Sequence, residues 1–127
     1  RLHELYRRYS GQADFLTVYI REAHPTDEWQ MTANETDSVC YRQPHTTAAR
    51  VAIANDFRRR FAYELPLVVD AIDNPADRLY AGWPERFYIL SAEGSIVYKG
   101  QLGPFGFHPE EVEAWLKAHA PAAAPPK

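Results

Sequence analysis

The sequence predicts an α/β protein with a mixed sheet, a C-terminal β-hairpin and flanking helices. Near-continuous apolar runs at 14–20 and 65–73 are typical of strands buried on both faces, as in a parallel sheet. Apolar residues at helical spacing lie before, between and after these two runs. Two alternating runs flank the tripeptide AEG at 92–94, which indicates an antiparallel hairpin over 86–100.

The N-terminal part is predicted to form a helix and then a strand. Apolar residues recur at helical spacing over 1–10, and Gly11 is the expected stop of that helix. The strand at 14–20 then leads into a long polar loop at 21–45. Loops of this length in a compact domain are usually functional or disordered.

The middle of the chain is predicted to form a helix over 46–61, with a threonine as its N-cap. The expected apolar side of this helix carries Ala49, Val51, Ala52, Ile53 and Phe57. The strand at 65–73 follows, and the residues DNPAD at 73–77 have the chemistry of a turn.

The C-terminal helix is predicted over 108–120, because Pro109 stands in its first turn and acidic residues follow early. Its apolar face carries Val112, Trp115 and Leu116. Residues 121–127 read as a disordered Ala/Pro tail.

The order of the predicted elements is helix, strand, helix, strand, hairpin, helix. Strands that alternate with helices pair in parallel through right-handed crossovers. This order is that of the second part of a thioredoxin-like fold, and we expect residues 1–120 to form one domain of that type.

Composition excludes several classes of function. The 127 residues suggest one domain, and the net charge of −3 argues against a general nucleic-acid binder. The basic run RRR at 58–60 reads as the solvated end of a helix. Cys40 is a single cysteine, which excludes an internal disulfide. No apolar run approaches the ~20 residues of a membrane span.

Charged and aromatic residues crowd the loop after the first strand: Glu22, His24, Asp27 and Trp29. Histidine titrates nearest neutrality, and a neighbouring carboxylate can raise its pKa and fix its tautomer. Open α/β sheets bind ligands at the carboxyl ends of their strands. The loop is therefore a candidate acid–base site. The structural alternative is a backbone-bonded His24 with Asp27 capping a turn.

Three stretches carry a family resemblance: DFLTVYIREAHPTDEW at 14–29, DNPADRLYAGWPERFYIL at 73–90 and YKGQLGPFGFHPEEVEAWL at 98–116. The first contains the pattern acid-Ala-His-x-Ser/Thr-Asp-x-Trp. In this order the stretches resemble the iodothyronine deiodinase family over about residues 1–119. The weakest part of the resemblance is 30–45.

The resemblance implies a thioredoxin-like fold and reductive removal of iodine from an iodinated phenol, with a thiol cosubstrate and no other cofactor. In that family a selenocysteine or a cysteine attacks the halogen. Its position would lie about ten residues before Arg1, so we expect the first strand and the nucleophile to lie outside this chain. That strand would fit between the strands at 14–20 and 86–91, and the 127 residues alone would be inactive.

The resemblance also implies roles for particular residues. His24 would be the acid and Glu22 its orienting partner, beside the nucleophile. Pro84 stands where thioredoxin-like proteins carry a cis-proline that faces the nucleophile. Arg86 could bind a substrate carboxylate in a bidentate fork. The structural alternative is an ion pair of Arg86 with Glu85 or with Glu22.

Two further residues are candidates with less support. Cys40 is a candidate resolving thiol for an oxidised nucleophile, and the alternative is a cysteine without a redox role. Trp29 could line an aromatic substrate pocket. The spacing of Cys40, His45 and His24 matches no compact ligand pattern, so no metal is expected.

Two other functions stay open at this point. One is a bacterial thiol–disulfide or peroxide reductase on the same scaffold, and the other is a binding module without a nucleophile. Pro84 and the Ala/Pro tail favour a bacterial-type member, which would be cytoplasmic. The expected partners are a small aromatic or thiol substrate and, as in the family, a second copy in a homodimer, with no nucleic acid.

Overall fold

A computed structural model of the protein describes residues 1–22 and 42–119. The described helices are α1 (Leu2–Tyr9), α2 (Thr47–Arg60), α3 (Pro75–Tyr80) and α4 (Pro109–His119). The described strands are β1 (Thr17–Tyr19), β2 (Leu67–Val69), β3 (Tyr88–Leu90) and β4 (Ile96–Lys99). This mixture of helices and strands confirms the α/β class. No helix in the described ranges is long and apolar enough to cross a membrane.

The described strands form two small sheets. β1 pairs with β2 in parallel, with Val18 opposite Val68. β3 pairs with β4 antiparallel, with Ile89 opposite Tyr98. Among the described strands, no hydrogen-bonded pairing joins the two sheets. The predicted mixed sheet placed a further strand, expected outside this chain, between the strands at 14–20 and 86–91, so the separation of the two sheets does not contradict it. The expected burial on both faces of the parallel pair is wrong, because Val18 is 38% exposed and Val68 is 46% exposed.

The hydrophobic core lies between the first and last helices. Leu5 and Tyr9 of α1 pack against Val112 and Leu116 of α4, and all four are buried. The apolar face predicted for the last helix is therefore confirmed at Val112 and Leu116. The same helix buries Glu113, whose carboxylate accepts hydrogen bonds from arginines of the N-terminal segment.

Helix α2 begins as predicted but packs on a different face. The Thr46 hydroxyl accepts the Ala49 N–H at 3.0 Å, which confirms the threonine N-cap. The expected apolar side is wrong at three of its five positions, since residues 49, 51 and 52 are exposed. The buried residues of α2 are Arg50 and Ala54. This buried face could not be predicted from the apolar residues of the helix, because one of its two members is Arg50. Polar contacts hold that side chain in its buried position.

A short helix replaces the turn predicted at 73–77. Pro75 starts α3, where its missing N–H costs no intrahelical bond, and Asn74 before it has a left-handed backbone with φ 60°. The Asp70 carboxylate accepts the Ala76 and Asp77 N–H groups, each at 3.0 Å. These two bonds satisfy N–H groups that a helix start leaves free.

The hairpin and the start of the last helix agree closely with the sequence, whereas the predicted stop of the first helix does not. The hairpin turn contains Gly94 with φ 88°, a conformation that glycine adopts without penalty. Helix α4 begins at Pro109 as predicted. Helix α1 ends at Tyr9, and the Ser10 N–H still bonds to a helical carbonyl, so Gly11 does not act as the left-handed stop. The predicted tail at 121–127 lies outside the described residues.

Candidate active site

Glu22 is held at the carboxyl end of β1 by two other parts of the chain. Its N–H donates to Gln43 Oε1 at 3.1 Å, and Gln43 Nε2 donates to the Glu22 carbonyl at 3.3 Å. The same carbonyl accepts the Trp83 indole N–H at 3.3 Å. The backbone after β1 is thus fixed to the segment before α2 and to the segment before β3.

The Glu22 side chain forms a close pair with Tyr19, the last residue of β1. The Tyr19 hydroxyl donates to Glu22 Oε1 at 2.5 Å. Burial raises the pKa of Glu22, while the Tyr19 hydroxyl and the charge of Arg50 oppose that rise. Burial and the Glu22 carboxylate also raise the pKa of Tyr19, so its hydroxyl keeps the proton that it donates.

This pair can exchange protons nearer to neutrality than an exposed carboxyl can. A carboxyl with a raised pKa holds a proton at a higher pH, and a tyrosine hydroxyl beside it can both donate and accept. Tyr19 was not among the site residues predicted from the sequence. The three-residue spacing between Tyr19 and Glu22 could have indicated the pair, because a residue at the end of a strand lies near the loop residue three positions later.

The site has two walls. The first is the segment at Glu22, after β1, and the second is the segment before β3. The Trp83–Pro84 peptide bond is cis, which confirms the cis bond expected at Pro84. The Trp83 N–H donates to Asp77 Oδ1 at 3.2 Å, and Arg21 Nε donates to Asp77 Oδ2 at 2.9 Å. The Arg21 guanidinium also stacks over the Trp83 ring at 4.7 Å. These contacts hold Trp83, and with it Pro84, next to the Glu22 backbone.

Arg86 lies at the start of the hairpin, and its described hydrogen-bond partners are backbone carbonyls. Its Nε–H donates to the Gly100 carbonyl at 2.7 Å, and Nη1 donates to the Ala81 carbonyl at 3.2 Å. The ion pair with Glu85 or Glu22 that the sequence left open does not form among the described residues. Substrate binding by Arg86 stays a prediction, since a guanidinium has five donors and these contacts use two.

Glu85 packs against the turn that follows β4. The Gly103 N–H donates to the Glu85 carbonyl at 2.9 Å. A Cβ added at Gly103 would lie 2.3 Å from Glu85 Cγ, so any other residue there would require the Glu85 side chain to shift. The turn after the hairpin is thereby fixed beside the segment that carries Pro84.

Three predicted site residues lie outside the described residues: His24, Trp29 and Cys40. Their predicted roles stay predictions. Within residues 1–22 and 42–119, no group of three or more His, Cys, Asp or Glu side chains could hold a metal ion.

Comparison with known proteins gives consistent matches along the chain. The iodothyronine deiodinase family model matches residues 1–120. A type I iodothyronine deiodinase of Xenopus laevis is 38% identical over 110 residues, which cover 87% of this chain and 41% of the relative. A thyroxine 5-deiodinase of Bos taurus is 35% identical over 117 residues, covering 91% of this chain and 36% of the relative.

A type II iodothyronine deiodinase of Rattus norvegicus is 34% identical over 116 residues, covering 90% of this chain and 43% of the relative. The chain therefore spans about two fifths of the length of these curated relatives. The family match runs through all three sequence stretches and both walls of the site. The chain belongs to the iodothyronine deiodinase family.

Proposed function

We propose that the protein is a deiodinase-type oxidoreductase that replaces the carbon–iodine bond of an iodinated phenol by a carbon–hydrogen bond. A thiolate or selenolate takes the iodine, and the ring carbon keeps the electron pair and takes a proton. Two thiols of the cosubstrate then become a disulfide, which releases iodide and restores the nucleophile. The reaction therefore needs a proton donor beside the nucleophile.

The Tyr19–Glu22 hydrogen bond is the observation that carries this proposal. It holds the Glu22 carboxyl, whose pKa burial raises, at the carboxyl end of a parallel strand, where open α/β sheets bind ligands. His24 follows Glu22 by two residues and would deliver the proton to the ring carbon. In this proposal Glu22 orients His24, and Tyr19 fixes the Glu22 carboxyl.

The proposed fold is thioredoxin-like, and the nucleophile comes from a strand–helix segment outside this chain. That strand would pair between β1 and β3, neither of which pairs with a second described strand. Pro84 would then face the nucleophile. Arg86 and Trp29 would contact the substrate, Cys40 would act as a resolving thiol, and a homodimer remains the expected assembly.

A thiol–disulfide or peroxide reductase is the second candidate function. The position of Pro84 favours it, because thioredoxin-like reductases carry a proline beside their nucleophile at this point of the chain. The two candidates differ in substrate, since a reductase turns over disulfides or peroxides and has no need to release iodide.

The test compares wild type, Glu22→Gln and Glu93→Gln in the full-length protein. Iodide release from an iodinated phenol is measured with dithiothreitol as the thiol cosubstrate, and disulfide reduction is measured in parallel. Positioned acid–base groups contribute about 10²–10⁴-fold to rate, so Glu22→Gln should lower turnover by about 10²-fold or more. Glu93 is exposed in the hairpin turn, and Glu93→Gln should not change turnover.

The outcomes separate the candidates. Iodide release by wild type that is lost in Glu22→Gln supports the deiodinase proposal. Disulfide reduction without iodide release identifies the reductase instead. If iodide release in Glu22→Gln equals that of wild type, the Tyr19–Glu22 pair has no part in the reaction.

A further inference from the structure

The segment after β4 closes into a tight turn over residues 101–106, which we call the apolar turn. The Gly106 N–H donates to the Leu102 carbonyl at 3.0 Å. A Cβ added at Gly106 would lie 2.5 Å from that carbonyl oxygen, so a larger residue there would force the backbone apart. The Phe107 ring then stacks on Phe87, with the ring centroids 4.4 Å apart. These contacts hold the apolar turn in one shape.

The apolar turn carries the most exposed large apolar side chain among the described residues. Phe105, at its tip, is 92% exposed, and Leu102 is 45% exposed. A single apolar side chain on a surface needs no explanation, but a phenylalanine at the tip of an ordered turn is a different case. An aromatic ring has few rotatable bonds, so it loses little freedom when a partner covers it. Aromatic residues of this kind anchor protein interfaces by filling a pocket of the partner.

A short series of contacts joins the apolar turn to the candidate active site. The Gly103 N–H donates to the Glu85 carbonyl at 2.9 Å. Two residues before Glu85, the Trp83 indole N–H donates to the Glu22 carbonyl at 3.3 Å. Phe105 therefore stands at the rim of the site, where the proposed reaction brings its thiol cosubstrate.

The shape of the apolar turn favours a protein partner over a small molecule. Small ligands bind in concave pockets that surround most of their surface, whereas Phe105 protrudes. An aromatic residue that inserts into a membrane is typically surrounded by lysines and arginines. The charged residues beside the turn or in the segments that flank it are Glu85, Arg86, Lys99, Glu110 and Glu111. This set has no surplus of positive charge, which argues against an anionic lipid surface.

We propose that the apolar turn, through Phe105 and Leu102, docks a dithiol protein that serves as the thiol cosubstrate. One thiolate of the partner attacks the sulfur or selenium that carries the iodine, so that iodide leaves and a mixed disulfide or selenenyl sulfide forms. The second thiolate then attacks the partner's own sulfur in that bond. The partner becomes a disulfide, the nucleophile is restored as its anion, and the protons of the two thiols go to solvent.

This proposal rests on the proposed function, because that reaction is what brings a thiol donor to the rim of the site. A small thiol such as dithiothreitol can reach the nucleophile without touching the apolar turn. A protein dithiol is too large to do so and needs a docking surface. Changes in the turn should therefore affect the two kinds of reductant differently.

The first test measures iodide release by the full-length protein with two reductants in turn. One is dithiothreitol, and the other is thioredoxin kept reduced by thioredoxin reductase and NADPH. Phe105→Ser removes the anchor and should raise the KM for thioredoxin about tenfold or more, while turnover with dithiothreitol stays at the wild-type value. Phe105→Trp keeps an aromatic anchor, so its KM for thioredoxin should stay within about threefold of wild type.

Phe61→Ser is the matched control for the kinetic test. Phe61 is 51% exposed and follows α2, at the end of the chain segment that leads into the amino end of β2. Its substitution removes an exposed phenylalanine from a part of the surface outside the apolar turn. The KM for thioredoxin should therefore equal that of wild type.

Three kinetic results would overturn the proposal. One is iodide release that dithiothreitol supports and thioredoxin does not. Another is a KM for thioredoxin that does not change in Phe105→Ser. The third is a Phe105→Ser protein that loses turnover with both reductants or unfolds at a clearly lower temperature, because Phe105 would then serve the reaction or be covered by another part of the full-length chain.

The second test needs no reaction. The full-length protein is titrated calorimetrically with a thioredoxin whose two active-site cysteines are replaced by serine. We expect equal affinity for wild type and Phe61→Ser, and about tenfold weaker binding by Phe105→Ser. Absence of binding by wild type, or binding that does not depend on Phe105, overturns the proposal. Binding that depends on Phe105 without iodide release from either reductant would instead refute the deiodinase proposal and keep the docking surface.

Discussion

Replacing Tyr19 by phenylalanine removes one hydroxyl and leaves the ring in place. The hydroxyl donates to Glu22 Oε1 at 2.5 Å, and the ring packs against Phe57 with their centroids 5.8 Å apart. The ring contact survives the substitution. Any change in the free energy of unfolding therefore reports on the Tyr19–Glu22 hydrogen bond.

The size of the effect should depend on pH. A hydrogen bond to a charged group contributes about 1.5–3 kcal/mol, and one between neutral groups contributes about 0.5–1.5 kcal/mol. Because Glu22 is only partly buried, we expect about 1.5–2 kcal/mol when its carboxyl is ionised. When the carboxyl is protonated, the cost of Tyr19→Phe should fall to about 0.5–1.5 kcal/mol.

The sign of the wild-type pH dependence follows from the direction of the pKa shift. Burial raises the pKa of Glu22 in the folded state above its unfolded value. The contribution of Glu22 to stability is thus fully present below the unfolded pKa and is lost as pH rises through the folded pKa. Tyr19→Phe removes a bond that favours the ionised form, so it should raise the folded pKa further and steepen this loss.

Denaturant unfolding of the full-length protein over a pH series measures the effect. The set contains wild type, Tyr19→Phe, Glu22→Gln, the double variant and Tyr63→Phe. Tyr63 is the matched control, because its hydroxyl pairs with the uncharged Thr17 hydroxyl at 2.6 Å. The cost of Tyr63→Phe should not vary with pH. In the Glu22→Gln background the cost of Tyr19→Phe should also lose its pH dependence.

One result would refute the reasoning about this pair. If the cost of Tyr19→Phe is the same at every pH, the hydroxyl does not respond to the charge on Glu22. The same conclusion follows if the pH dependence persists in Glu22→Gln, because the titrating group would then be a different one.

The other predictions concern the parts of the fold that position the site, and each is measured by denaturant unfolding. Leu116→Ala should cost about 2–5 kcal/mol because Leu116 is 5% exposed in the core, whereas Leu79→Ala on the surface of α3 should stay within about 0.5 kcal/mol. Equal costs would contradict the assigned core. Thr46→Ala should cost about 1 kcal/mol through loss of the α2 N-cap. Asp70→Ala should cost about 1–3 kcal/mol, because it leaves two N–H groups at the start of α3 without an acceptor. Amide hydrogen exchange should then accelerate at residues 76 and 77. Unchanged exchange at these two residues would count against the capping role of Asp70.

Elements with a strong local signal could be predicted from the sequence. The threonine N-cap of α2, the hairpin with Gly94 and the proline start of α4 all depend on residues within one turn of each other. The α/β class could be predicted because the predicted helices and strands alternate along the chain. The bacterial-type interpretation stays a prediction, since the relatives compared are vertebrate proteins.

Features that depend on contacts distant in sequence were missed. Arg50 is buried because two carbonyls at the end of β2 accept its guanidinium, which no pattern within α2 indicates. Helix α3 begins where a turn was expected because Asp70, several residues earlier, caps it. The role of Gln43 at Glu22 likewise joins residues 21 positions apart.

A chain of polar contacts links Asp70, after the end of β2, to the backbone of Glu22, after the end of β1. Asp70 accepts the Asp77 N–H, and the Asp77 carboxylate holds both Arg21 and the Trp83 N–H. Trp83 in turn donates to the Glu22 carbonyl. Burial can raise the pKa of a carboxyl only while its backbone keeps it from turning toward water. The polar framework between the strands is therefore what allows Glu22 to keep a raised pKa on a loop.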